Sequence, residues 1–334
     1  MAEKRSEPMP VKYWSAAGLV LTTWCNARCA SCYLRCGPAR PVKIDVDYFF
    51  SVWSDLVKIP PHGCRVHLTG GEPFGDWGGL LALCRRAADA GIGPLQKVET
   101  NAFWATDEDV IRRRVKALDA AGMRKLSISC DPYHQQFVPL ENVRRLATVA
   151  GDLLGPARLQ VRWEDWLEHG FDTAALSDGA RRELFGEYAR QGRDRINGRA
   201  VETLAESMHR KSWQEFADEC CRESLLRGKH VHVDADGCVT PGTCAGLMLG
   251  NARRQPIDEM WRQLYRDHDE RPIVGLLSTA GPVGLAICAA ELGFQPDRRG
   301  YAGKCHLCYD VREFLHAAGR FAAEIGPGWL YAGR

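Results

Sequence analysis

Apolar positions alternate between two spacings along the first two hundred residues. AGLVLTT (17–23), CRVHLT (64–69), KVETN (97–101), KLSIS (125–129) and LQVRW (159–163) are short, largely apolar runs. They are too short for helices and read as buried parallel strands. Between them the apolar spacing lengthens to that of amphipathic helices, over 45–58, 77–91, 106–122 and 141–154. Thr106 is the expected N-cap of the third helix and Gly122 its stop. Strand–helix alternation of this kind implies βαβ units with right-handed crossovers around a parallel sheet.

A complete eightfold barrel takes about 250 residues. The rhythmic segment starts at Ala17 and is lost after Ala205. That length suits about six units, a partial (β/α)6 TIM-like barrel. The remainder carries seven of the fourteen cysteines and reads as a separate, small, cysteine-rich α+β domain. The expected organisation is an N-terminal tail (1–16), a partial barrel (17–208) and a cysteine-rich domain with a C-terminal helix (209–334).

Composition adds little until the cysteines are considered. Hydrophobic residues make up 45% and charged residues 26% of the 334, an ordinary globular balance. A net charge of +2 exerts no general pull toward nucleic acid or acidic lipid. The basic run at 112–116 lies on a predicted helix and reads as a solvated face. No apolar run approaches the roughly 18 residues of a membrane span, and the first residues lack a signal-peptide core. The expected location is the cytoplasm, where structural disulfides are rare, so fourteen cysteines point toward metal.

Cys25, Cys29 and Cys32 form C-x3-C-x2-C directly after the first predicted strand. In a parallel barrel that loop lies at the carboxyl end, where active sites are built. Zinc knuckles pair two such motifs to reach four ligands, and Cys36 follows too closely to make a clear fourth. Four-iron clusters normally take four thiolates, so three would leave one iron open.

With LTGGEP (68–73) after the second strand, this motif resembles the radical S-adenosylmethionine enzymes. The resemblance implies a [4Fe–4S] cluster on Cys25, Cys29 and Cys32, with the methionine amine and carboxylate on the open iron. A flavodoxin- or ferredoxin-type donor would supply one electron, cleaving the sulfonium to a 5′-deoxyadenosyl radical. Gly70, Gly71, Glu72 and Pro73 would meet the methionine ammonium, and Asn101 ends a strand facing the same mouth. Ser129 or Asp131 would hydrogen-bond the ribose, and Arg162 would pair with the methionine carboxylate. One departure is Ser31, where the family usually has an aromatic residue near the adenine; Tyr33 stands on the far side of Cys32.

A second thiol set follows. Cys221 precedes a hairpin pattern, VHVDADGCVTPGTC, that turns at ADG and ends on Cys244, and KCHLC adds Cys305 and Cys308. The order resembles the twitch domain, a shortened SPASM extension holding one auxiliary [4Fe–4S] cluster, and the segments 198–200 and 250–261 look like its borders. The interval from Gly237 to Cys244 is longer than in the family, so Cys220 competes with Cys221 and Cys238 with Cys244. A structural zinc site on the same four thiols is the alternative. Cys238 and Cys288 are spare in this assignment and are candidate catalytic hydrogen donors, although buried cysteine also serves as a small apolar residue. Cys64, Cys84 and Cys130 read as core.

The functional resemblance is to enzymes that epimerise or oxidise sugar carbinols in aminoglycoside and oligosaccharide antibiotic biosynthesis. The alternative is a peptide maturase or epimerase of the same superfamily acting on a peptide substrate; such relatives commonly need a leader-recognition module, and sixteen residues before the first strand are too few to fold as one, although a separate chain could supply it. A basic, aromatic-rich RNA surface is not evident. The rival of another class is a non-enzymatic iron–sulfur electron carrier or a zinc-stabilised binding module.

Overall fold

The five apolar runs form β1 (Ala16–Val20), β2 (Arg65–Thr69), β3 (Leu95–Thr100), β4 (Leu126–Ile128) and β5 (Leu159–Val161), all parallel, in a computed structural model that describes residues 10–331. The intervening helices are α1 (Val46–Leu56), α2 (Trp77–Asp89), α3 (Glu108–Ala120) and α4 (Leu140–Leu154). Asp107, not Thr106, caps α3, its carboxylate accepting from the Val110 amide at 2.9 Å. Leu19, Val66, Leu68, Val98 and Ile128 of the strands join Phe49, Trp53, Leu80, Leu83 and Ile111 of the helices in one buried core.

No sixth strand follows β5 directly. The chain continues through α5 (Glu164–His169), α6 (Asp178–Arg190), α7 (Ala200–Thr203) and α8 (Arg222–Leu225) before the sixth parallel strand, β6 (His230–Asp234). That strand lies on the far side of β1, not beyond β5. β7 (Cys238–Pro241) and β8 (Gly250–Asn251) then extend the sheet antiparallel. The order is β5-β4-β3-β2-β1-β6-β7-β8, an open α/β sheet. The expected boundary near 208 therefore does not interrupt the sheet. β1 has two hydrogen-bonding edges, and the segment beyond 208 supplies the partner for the second one.

Four helices complete the described chain: α9 (Ile257–Asp267), α10 (Val274–Thr279), α11 (Gly281–Ala290) and the expected C-terminal helix, α12 (Lys304–Ala317). Part of the expected N-terminal tail lies outside the described residues. The rest is packed: Val11 and Trp14 are buried, Tyr13 stacks on Trp261 of α9 at 4.4 Å, and the Trp261 indole donates to the Lys12 carbonyl at 3.0 Å. Among the described residues no helix is long and apolar enough to cross a membrane.

Candidate functional site

The loop after β1 folds back on itself before α1. The Thr22 hydroxyl donates to the Pro41 carbonyl at 2.6 Å, and the Cys25 amide donates to Gly37 at 3.2 Å. The turn after β2 hooks onto this loop, with the Gly71 amide on Thr22 O at 2.7 Å and the Glu72 amide on Trp24 O at 2.8 Å. A Cβ at Gly71 would sit 1.9 Å from the Trp24 carbonyl oxygen, so only glycine lets the two turns meet. Between them opens a cavity of about 160 Å³, with Cys25, Cys29 and Cys32 on one wall and Gly70, Gly71 and Pro73 on the other. It lies at the carboxyl ends of the parallel strands, and Asn101, Ser129 and Arg162 also face it.

The thiols are held by side chains from distant parts of the chain. Asn101 Nδ2 donates to Cys25 Sγ at 3.5 Å and to Asn26 Oδ1 at 2.8 Å. The Cys36 amide donates to Cys32 Sγ at 3.4 Å. The hydrogen bond from the Cys36 side chain, aided by the Arg199 guanidinium, lowers the Cys32 thiol to about 6 despite burial. Burial, with Cys29 and Glu72 adding to it, pushes the Cys25 thiol up. Arg199 is itself buried and clasps the loop by donating to the carbonyls of Cys29 at 3.0 Å and Cys36 at 2.5 Å. Thr203 adds a bond to Ala30 O at 2.8 Å.

Two residues expected at the ligand are spent on the scaffold. Glu72 is fully buried; its Oε1 accepts from the Phe74 amide and the Thr100 hydroxyl and its Oε2 from the Asn101 amide. Burial raises its carboxyl to about 7. Asp131 is likewise buried, accepting from the Tyr133 and His134 amides and bonding His134 Nδ1 at 2.8 Å. What reaches the cavity is His134, not Asp131. Burial works against its charged form, but Asp131 and Cys29 outweigh it and hold its pKa well above the usual value. Arg162 faces the cavity, its guanidinium bonded to Asp194 and 3.8 Å from Asp131. Cys238 is buried beside Asp234 on β7, and Cys288 is half-buried on α11; neither lines this cavity.

Cys221, Cys244, Cys305 and Cys308 are brought together from the start of α8, the loop after β7 and the first turns of α12. Burial raises Cys221 to about 12 and Cys305 to about 11, and the other thiols of the set add to each shift. Arg195 contacts Cys244 Sγ at 3.8 Å. Cys220 is exposed, and Cys238 belongs to the β6–β7 hairpin, so the geometry favours Cys221 and Cys244 for this set. Tetrahedral zinc at a Zn–S distance of about 2.3 Å would hold its sulfurs about 3.8 Å apart. Among the described residues, no three thiols converge within 4.8 Å of one another.

Arg199, His134 and Glu99, which also lines the cavity, carried no sequence signal as site residues, although Arg199 falls within the singled-out segment 198–200. Their roles depend on contacts across the fold, such as the clasp of Arg199 on a loop 163 positions away.

Fold and site together define an open parallel α/β protein with a thiol-walled cavity at the carboxyl edge of its sheet and a second thiol set built from its C-terminal half. No protein-family model matches the chain, and no curated protein matches it. Among solved structures it is similar to BtrN in complex with AdoMet and 2-DOIA, at 13% identity and a TM-score of 0.46, over 81% of this chain and 90% of that one. It is also similar to native anSMEcpe with bound AdoMet and Cp18Cys peptide, at 13% identity and a TM-score of 0.43, over 92% and 98%. A further similarity is to polyhistidine-tagged anSMEcpe with bound AdoMet, at 15% identity and a TM-score of 0.42, over 92% and 97%.

Proposed function

We propose that this chain is a radical S-adenosylmethionine enzyme acting on a C–H bond of a polar, carbohydrate-like substrate. The observation that carries the reading is the meeting of Cys25, Cys29 and Cys32 with the Gly70–Gly71 turn in one cavity at the carboxyl ends of parallel strands. These thiols would hold a [4Fe–4S] cluster with one open iron, and Cys221, Cys244, Cys305 and Cys308 a second cluster. When bound, the clusters and S-adenosylmethionine supply hydrogen-atom abstraction from an unactivated C–H bond and a store for one electron.

The chain's own residues hold this site in shape. Arg199 and Thr203 tie down the cysteine loop from outside, and Asn101 donates to Cys25 Sγ and so orients that sulfur. Glu72 locks the glycine turn to the strand ends. Arg162 is at the wall with a planar fork that already pairs with Asp194, so a ligand carboxylate there would share it. A neighbouring cavity of about 500 Å³ shares Tyr33 and Glu99 with the first and offers Lys97 and histidines to hydroxyl groups, which supports a carbinol substrate. Neither Cys238 nor Cys288 lines either cavity, which favours oxidation over epimerisation.

Reconstituted anaerobically and given dithionite and S-adenosylmethionine, the protein is expected to form 5′-deoxyadenosine, detected by chromatography and mass spectrometry. The Cys25→Ala/Cys29→Ala/Cys32→Ala variant forms none. Absence of the product from iron-loaded wild-type protein sinks the reading.

A further inference from the structure

The cavity of about 500 Å³ contains a cluster that the thiol chemistry does not use. His67 of β2 and His232 of β6 both stand in register with Gly18 of β1, one on each side. His230 lies two positions before His232 and so projects on the same face. A Cβ at Gly18 would meet His232 Cδ2 at 2.4 Å and His67 Cε1 at 2.7 Å. The absence of a side chain there is what lets rings from two different strands come together across a third. The ligand atoms of the three histidines all lie within 4.8 Å of one another, and the His230 and His232 ring centroids are 4.5 Å apart.

The His67 and His230 rings stack at 5.1 Å, and His232 meets both edge-on. His232 Nδ1 is 2.6 Å from the Gly242 carbonyl, which fixes the proton on Nδ1 and leaves the Nε2 lone pair free. His230 Nε2 is buried and has no hydrogen-bond partner. Burial, reinforced by the neighbouring rings, lowers all three to about 4, so they are neutral near pH 7.

We propose that His67, His230 and His232 bind one divalent transition-metal ion of the zinc type, its remaining position open to the cavity. Three histidines with an open fourth place are a donor set suited to such an ion and to a substrate hydroxyl. Glu99 Oε1 is 4.0 Å from His67 Nε2, is held by Lys97 at 2.6 Å and lines the same cavity. The site stands on the histidines and does not rest on the radical reading.

The test uses full-length protein loaded anaerobically with iron and sulfide, given one equivalent of zinc chloride, and examined by zinc-edge X-ray absorption and by competition with a chromophoric chelator. The expected result is a nitrogen and oxygen shell at about 2.0–2.1 Å with no sulfur shell near 2.3 Å. Affinity should fall by at least about 10–100-fold in His67→Ala and His232→Ala, and be unchanged in Cys220→Ser. His230→Gln, which keeps the ring's approximate volume, should show the same loss with a wild-type circular dichroism spectrum, separating ligation from folding. A sulfur-dominated shell, no bound zinc, or unchanged affinity in the folded His230→Gln variant overturns the proposal. A chain that binds zinc through nitrogen but makes no 5′-deoxyadenosine keeps this site and loses the proposed function.

Discussion

Arg199 shows how one side chain can decide the shape of the thiol cavity. Its guanidinium is buried against two carbonyls of the cysteine loop; without it Cys29 O keeps the Cys32 amide at 3.2 Å, but Cys36 O loses its donor, which costs about 1–3 kcal/mol. Arg199→Met is therefore expected to destabilise the chain by roughly 2 kcal/mol or more in urea unfolding and to lower iron uptake. Lysine, with one point charge, should not restore the two-carbonyl clasp. Gly71→Ala drives a methyl group into the Trp24 carbonyl and is expected to cost about 2 kcal/mol or more, read by the same measurement. The cysteine motif and the paired glycines were legible in the sequence because their chemistry depends on local spacing. His134 was not, because its place at the cavity depends on the turn after β4 meeting the cysteine loop, where Cys29 lies, while the sequence had suggested its neighbour Asp131 for the ribose.

Among the elements, the β6–β7 hairpin has a charge problem at its turn. Asp234 accepts from the amides of Asp236 and Cys238 yet is buried, and burial raises its carboxyl to about 7. An acid whose folded pKa is raised binds more protons in the folded state than in the unfolded state between about pH 4 and pH 7. Its contribution to stability therefore declines as pH rises through that window. Asp234→Asn keeps an acceptor oxygen and removes the charge. It is expected to gain on the order of 1–3 kcal/mol at pH 8 and little at pH 4, measured by denaturant unfolding at both values. The five parallel strands were readable because each is a short apolar run, and their helices because the spacing changes between them. The partner of β6 was not readable, since HVHVD suits a hairpin and nothing local points to β1 some 200 residues earlier.

At the scale of the whole molecule, that pairing makes the two halves one sheet. Residues 17–208 expressed alone would leave one edge of β1 unpaired and the Tyr13–Trp261 contact unmade. The fragment is expected to aggregate or lose its cooperative unfolding transition, whereas the full chain stays monodisperse; sedimentation velocity and denaturant unfolding read the two effects. The same continuity brings the histidines of β2 and β6 together over Gly18, a meeting with no trace in local sequence. It also sets the cavity beside the N-terminal thiols in the same sheet as the hairpin leading to Cys244. The proposed function stands on Cys25, Cys29 and Cys32 holding a four-iron cluster with one iron open to S-adenosylmethionine. The most direct measurement is electron paramagnetic resonance of the dithionite-reduced variant in which Cys221, Cys244, Cys305 and Cys308 are all alanine, leaving one cluster to observe. The expected result is a reduced four-iron signal whose g-values shift when S-adenosylmethionine is added. A signal indifferent to S-adenosylmethionine, or no cluster in that variant, would contradict it.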